Sequence, residues 1–147
     1  MSDVDSHNLQ RFASAQAEDY GVALQELRGG RKESHWIWYI FPQVAGLGFS
    51  SMAQHYAIQS RDEALAYLEH EVLGPRLHEC AEALLQIGER DIDDVMGSPD
   101  NLKLRSSITL FAAICPSESI FQAVLDRYFG GQADQKTLAY LDREGTE

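Results

Sequence analysis

The chain has 147 residues, of which 44% are hydrophobic and 24% charged, and its formal net charge is −11. This size and composition predict a single globular domain over 1–147, with 1–7 and 144–147 frayed, and they exclude a disordered chain. The acidic balance excludes bulk nucleic acid as a partner, and the apolar run 36–41 is too short to span a membrane. Because the first residues are acidic where a secretory signal is basic, we expect a cytoplasmic protein.

Helical spacing of apolar residues recurs along the chain, and no alternating strand pattern with hairpin turns accompanies it. We therefore expect an all-α fold, one compact domain of about seven to nine short helices. The first is predicted to be capped by Asn8, to break near Asp19 and to stop at Gly29 and Gly30. Later start signals are the capping box Ser60 to Glu63, Pro75, Asp91, the Ser98-Pro99-Asp100 triplet, Ser117 and Asp134.

Residues 34–43, Ser-His-Trp-Ile-Trp-Tyr-Ile-Phe-Pro-Gln, contain both tryptophans of the chain. A helix here would be apolar on all sides, whereas a strand would place Trp36 and Trp38 on one face. Pro42 ends either element. Such a block is either a core anchor or the wall of a binding pocket.

Polar residues flank this block. Arg31, Lys32, Ser34 and His35 precede it, and Gln43 follows it. A helix N-terminus already favours an anion through its amide groups and its dipole, so these residues predict a phosphate or carboxylate site.

The helix predicted after Pro99 places two polar residues on its apolar face. At helical spacing, Lys103 and Ser107 fall among the core positions, while Arg105 and Thr109 fall on the opposite arc and should be solvated. A buried, unpaired ammonium costs several kcal/mol. Lys103 therefore reaches the surface, pairs with a carboxylate or faces a ligand.

The segment 46–56 offers weaker signals. Its Gly-x-Gly is predicted to be a turn, since no βαβ unit or third glycine accompanies it. His55 and Tyr56 are adjacent and diverge on a helix, so each is structural or belongs to a site separately. No HExxH, CxxC or nucleophile motif occurs, so we expect no metal and no cofactor, and Cys80 and Cys115 are expected to be reduced thiols.

Six blocks of the sequence stand out, at 34–43, 46–48, 51–53, 56–58, 73–77 and 103–111. They resemble the small bacterial domain-of-unknown-function family 1810, which is often labelled calpastatin. The resemblance covers roughly residues 8–142 and implies a compact, mainly helical domain. A calpain inhibitor of the calpastatin type is disordered, so the label does not suit this composition. The blocks are the ten residues at 34–43, Gly-Leu-Gly at 46–48, Ser-Met-Ala at 51–53, Tyr-Ala-Ile at 56–58, Leu-Gly-Pro-Arg-Leu at 73–77 and Lys-Leu-Arg-Ser-Ser-Ile-Thr-Leu-Phe at 103–111.

A predicted helix with His55 and Tyr56 is followed by a Ser-Arg-x-Glu-Ala helix at 60–64 and later by a helix that bears Lys103 and ends in aromatic residues. This order of elements resembles the NADAR group of NAD- and ADP-ribose-associated domains, some of which cleave N-glycosidic bonds. The resemblance implies a nucleotide or ADP-ribose-like ligand. Where that group tends to have a Glu-His pair, this chain has Gln54-His55. The acid or base that such chemistry needs is not identifiable from the sequence.

Two hypotheses follow, and the sequence leaves open whether the protein is an enzyme. In the first, a cytosolic domain binds a phosphate-bearing small molecule. This hypothesis leaves open whether the domain also cleaves an N-glycosidic bond of that molecule. In the second, the domain is non-catalytic and binds another protein or a second copy of itself. The candidate ligand-binding residues are Arg31, Lys32, Ser34, His35, Trp36, Trp38, Gln43, His55, Tyr56, Lys103 and Ser107.

Overall fold

The computed structural model describes residues 7–88, 90–115 and 119–145. Within these ranges the chain forms nine helices and no strand, which confirms the predicted all-α fold. Of the two ends predicted to be frayed, 1–7 and 144–147, residues 1–6 and 146–147 lie outside the described residues. The helices are α1 Gln10–Arg28, α2 Ile37–Ile40, α3 Ser51–His55, α4 Arg61–Glu69, α5 Leu73–Gln86, α6 Ile92–Met96, α7 Asp100–Ile114, α8 Ile120–Phe129 and α9 Gln135–Gly145.

The first helix differs from its prediction at both its start and its middle. Asn8 lies in the left-handed region with a φ of 53° and does not cap α1, which begins at Gln10 behind Leu9. The predicted break near Asp19 does not occur, because one face of α1 stays buried along its whole length. Burial of that face therefore outweighs the local signals for a break.

Three predicted side-chain caps are confirmed, whereas at the predicted Ser98-Pro99-Asp100 start Pro99 is the N-cap of α7 and no side chain caps the helix. The Ser60 hydroxyl accepts a hydrogen bond from the Glu63 amide at 3.0 Å, and an Asp134 carboxylate oxygen accepts one from the Thr137 amide at 3.0 Å. Asp91 caps α6 in the same way. The predicted start at Ser117 lies outside the described residues, and the hydroxyl of Ser119 caps α8.

Helices α5 and α7 form the centre of the fold. Helix α5 packs against α1, α4 and α8, while α7 packs against α4, α6, α8 and α9. The junction of α4 and α5 requires glycine, because a Cβ on Gly74 would lie 2.0 Å from the backbone oxygen of Leu68. This packing brings the start of α7, the loop after α2 and the start of α9 to one side of the molecule.

One prediction for α7 is wrong. Thr109 was expected to be solvated, but it is buried, and its hydroxyl accepts a hydrogen bond from the Asp134 amide at 2.9 Å. Arg105 is half-buried and donates to the carbonyl oxygens of Gln132 and Ala133. The chain before α9 therefore covers the face of α7 that local spacing assigned to solvent.

Within the described ranges, no helix has the length and apolar character that crossing a membrane requires. Among the same residues, no group of three or more His, Cys, Asp and Glu side chains is arranged to hold a metal ion.

Candidate anion-binding site

The polar end of the tryptophan block surrounds a carboxylate of the chain itself. One oxygen of Glu26 accepts hydrogen bonds from the Glu33 amide at 2.8 Å, the Ser34 amide at 3.0 Å and the Trp36 indole at 2.9 Å. The other oxygen accepts one from the Ser34 hydroxyl at 2.6 Å. The donors at this end of the block predicted an anion. The Glu26 carboxylate, which belongs to α1, is the anion that they bind.

These hydrogen bonds fix the charge of Glu26. Burial alone raises its pKa, but the bonds from the Ser34 hydroxyl, the two amides and the indole outweigh burial and lower the pKa from 4.5 to about 2. Each bond is to a charged acceptor and is therefore stronger than a neutral one. Glu26 is an ionised structural anchor for the loop that enters α2.

Lys32 is also committed to a partner within the chain. Its side chain is 5% exposed, and its ammonium lies 2.7 Å from an oxygen of Asp100 and 4.9 Å from the ring centroid of Trp36. It also donates to the backbone oxygen of Ser34. Lys32 therefore ties this loop to the start of α7.

Lys103 lies near the other oxygen of the Asp100 carboxylate. Its ammonium is 3.8 Å from the second oxygen of Asp100 and 5.2 Å from the ring centroid of Trp38, and its side chain is 25% exposed. Because Asp100 is already close to Lys32, one carboxylate serves two ammonium groups. The cluster of Lys32, Asp100 and Lys103 therefore carries a net positive charge that is most accessible at Lys103.

Lys103 lines a cavity of about 270 Å³, which we call the Lys103 cavity. The start of α7, the loop 43–48 and the start of α9 form its walls, so the N-termini of two helices meet at it. Helix N-termini and lysines both favour anions. The lining residues are Gln43, Leu47, Gly48, Pro99, Leu102, Lys103, Ser106, Asp134 and Lys136.

Two polar atoms of the predicted set are buried without a hydrogen-bond partner among the described residues. They are the indole nitrogen of Trp38 and the hydroxyl of Ser107, whose residue is 0% exposed. Ser107 lies one helical turn after Lys103, and Trp38 lies under the Lys103 ammonium. Buried polar groups without partners are uncommon, and these two lie on α2 and α7, the second of which carries Lys103.

His55 and Tyr56 lie apart from these residues. His55 lines a separate cavity of about 540 Å³, which shares no lining residue with the Lys103 cavity. There the Arg11 guanidinium binds Glu63 at 2.7 Å and donates to four backbone oxygens. Tyr56 packs against Phe12 and Tyr39. These bonds hold α1, α3 and α4 together.

Of the sequence-predicted residues, the structure brings Gln43 and Lys103 to one cavity and places Trp38 beside Lys103. Arg31 and His35 are exposed, Ser34 is bound to Glu26, and Trp36 is sealed in the core at 1% exposure. Lys136, which lies in the first turn of α9, was not among the predicted residues. One signal could have found it: Lys32, Lys103 and Lys136 are the only lysines in the sequence.

The fold and the site define a compact helical domain with a cationic cavity between two helix starts. The chain belongs to the family described as "Protein of unknown function (DUF1810)", which matches residues 6–141. It is similar to the conserved hypothetical protein Rv1873 from Mycobacterium tuberculosis, whose crystal structure it matches with 48% sequence identity and a TM-score of 0.92, over 94% of this chain and 99% of the other. No curated protein matches it significantly. The resemblance to the NADAR group stays a prediction.

Proposed function

We propose that this protein binds a small phosphate-bearing molecule, such as a nucleotide or an ADP-ribose-like compound, in the Lys103 cavity. The observation that carries this proposal is the position of the Lys103 ammonium, on a cavity wall, over the Trp38 ring and beside a carboxylate that Lys32 already binds.

The charges around the cavity favour an anion. Lys103 and Lys136 both line it, and Asp134 is its one acidic lining residue among those described. One oxygen of Asp134 is engaged by the amide and the hydroxyl of Thr137. In a protein with a net charge of −11, this cavity is a local exception to the repulsion of anions.

The size of the cavity limits the part of the ligand that it can hold. At about 270 Å³ it lies just below the usual range of small-molecule sites, which is roughly 300–1,000 Å³. A phosphate and a sugar fit this volume better than a whole dinucleotide. Leu47, Leu102 and Pro99 supply apolar surface for the sugar, while the lysines hold the phosphate.

Calorimetric titration with adenosine 5′-monophosphate, ADP-ribose, NAD and inorganic phosphate tests the proposal. We expect binding by at least one of the organic phosphates, and we expect Lys103→Met to weaken it by about tenfold or more, since a charge-assisted hydrogen bond is lost. Arg31→Gln removes the same charge from an exposed position and serves as the matched control. Equal affinity of the Lys103→Met and wild-type proteins would remove Lys103 from the site.

For cleavage of an N-glycosidic bond, the cavity offers Asp134 as its carboxylate. Asn is as good a helix cap as Asp, so Asp134→Asn removes the charge and keeps the start of α9. If Asp134 acts as acid or base, this variant loses hydrolysis of NAD or ADP-ribose but binds phosphate more tightly, because a negative charge is gone. If the wild-type protein releases no product while it binds the ligand, the function is binding alone.

A second candidate function is protein interaction, and the exposed apolar residues beside the cavity favour it. Phe49 is 84% exposed and Leu102 is 56% exposed. Sedimentation over a range of concentrations tests self-association. A dimer that Phe49→Ser dissociates would support this function, whereas a monomer at all concentrations would remove the self-associating form of it.

A further inference from the structure

The Lys103 cavity is large enough for only part of an organic phosphate. Its volume of about 270 Å³ suits a phosphate and a sugar, so any further group of the ligand must lie in a neighbouring space. Such a space adjoins it. A second cavity of about 330 Å³ shares two wall residues, Leu47 and Lys136, with the first. A group attached to the sugar can therefore enter the second cavity past these two residues.

The wall of the second cavity changes from cationic to apolar along α9. Lys136 lines its shared end, and the next lining residues on this helix are Ala139 and Tyr140. The rise of a helix places them about 4.5 and about 6 Å further along the axis. The rest of the wall near them is the loop 45–47, which is Ala-Gly-Leu. Small and apolar residues therefore begin about one helical turn from the phosphate-binding lysine.

The charged residues of this cavity do not provide a second anion site. Arg143 also lines it but already has an interaction of its own within the chain. Tyr140 is held by its hydroxyl, which donates to the backbone oxygen of Gln59 at 2.6 Å, so its ring is fixed in the wall. The second cavity therefore offers mainly contact surface. An uncharged ring group complements such a surface, because it buries apolar area and needs no counter-charge.

We infer that the ligand carries an uncharged ring group, such as a nucleobase, and that this group binds in the second cavity against Leu47 and Ala139 while the phosphate binds at Lys103 and Lys136. The inference rests on the proposed function, since it assigns a substrate class to the same site. That class is the nucleoside phosphates, as opposed to sugar phosphates or inorganic phosphate.

The test compares adenosine 5′-monophosphate with ribose 5-phosphate by calorimetric titration at constant ionic strength. The two molecules share the phosphate and the sugar and differ in the base. We expect adenosine 5′-monophosphate to bind about tenfold more tightly. This gain corresponds to about 1.4 kcal/mol, which burial of roughly 55 Å² of apolar surface supplies.

Ala139→Gln tests where the base binds. Ala139 is exposed, and glutamine places a longer, polar side chain on this wall without a change of charge. The variant should reduce the tenfold gain severalfold and leave the affinity for ribose 5-phosphate unchanged. Ala17→Gln makes the same replacement at an exposed position of α1 and is the matched control. Thermal unfolding of each variant checks that its fold is intact.

The outcomes separate the inference from the proposed function. If both molecules bind equally and both depend on Lys103, the second cavity takes no ring group and the Lys103 site stands. If Ala139→Gln retains the full gain, the base binds elsewhere and the inference is wrong. If neither molecule binds, the inference falls together with the nucleotide form of the proposed function.

Discussion

Trp36 and Trp38 are two residues apart in the sequence but differ in burial, in the partner of the indole nitrogen and in the contacts of the ring. Trp36 is 1% exposed, and its indole nitrogen donates to Glu26 at 2.9 Å. Trp38 is half-buried, its indole nitrogen has no partner among the described residues, and the Lys103 ammonium lies over its ring. Trp36 belongs to a completed hydrogen-bond network, whereas Trp38 lies beside a lysine that lines a cavity.

The difference arises from the carboxylates that the fold supplies. On the Trp36 side, Glu26 receives four hydrogen bonds from the loop, so the donors there are satisfied. On the Trp38 side, the carboxylate of Asp100 faces both Lys32 and Lys103. A cluster of donors in a sequence therefore predicts an anion, but only the fold decides whether the anion is a side chain or a ligand.

Replacing each tryptophan by alanine should give the largest changes in the free energy of unfolding. Trp36→Ala should lower the free energy of unfolding by about 3–5 kcal/mol, as expected for a large buried side chain. Trp38→Ala should cost about half as much, since Trp38 is only partly buried, yet it should weaken ligand binding. Urea unfolding and titration of both variants measure this. Equal destabilisation by the two variants would show that Trp38 is as structural as Trp36.

Removing the charge of Glu26 should have the next largest effect. Glu26→Gln should lower the free energy of unfolding by about 2–3 kcal/mol near neutral pH, because donors lose a charged acceptor. The folded-state pKa of about 2 lies below the ordinary 4.5, so the ionised form stabilises the protein above about pH 4.5, and this contribution is lost as the pH falls toward 2.

The difference in the free energy of unfolding between the wild-type and Glu26→Gln proteins should therefore become smaller as the pH falls. Urea unfolding at about pH 7 and about pH 3 measures it. A difference that stays constant between these two values would contradict the assigned role of the carboxylate.

Replacing either of the two lysines that share Asp100 should lower the free energy of unfolding by a smaller amount. Lys32→Met should cost about 1–2 kcal/mol, since Lys32 is nearly buried and ties Asp100 and Ser34 together. Lys103→Met should cost less than about 1 kcal/mol, because its bond to Asp100 is longer and more exposed. Thermal unfolding compares the variants directly, and a larger loss for Lys103→Met would mean that Lys103 is mainly structural.

Local signals predicted most of the fold. The caps at Ser60, Asp91 and Asp134 act within three residues, so the sequence around each is sufficient to identify them. The predicted cap at Asn8 and the predicted break near Asp19 do not occur, because burial of a whole helix face outweighs a local preference. The prediction that Thr109 is solvated is wrong, because the chain before α9 covers this residue.

The site was predictable only in part. Lys103 stood out because a lysine on an apolar face needs an explanation, and the structure places it on a cavity. The role of Glu26 was not predictable, because its carboxylate belongs to the polar face of α1 and reaches the loop only after the chain turns at Gly29 and Gly30. Lys136 was missed because α9 meets α7 through a long-range contact.

The three lysines allow one direct measurement of the central claim, which is that the Lys103 cavity is open to a phosphate while the Trp36 side is closed. Lysine acetylation is followed by mass spectrometry with and without adenosine 5′-monophosphate. The account predicts that the nucleotide slows modification of Lys103 and Lys136 severalfold, while Lys32, which is bound to Asp100, reacts slowly in both cases. Unchanged modification of Lys103 at a nucleotide concentration that saturates binding would contradict it.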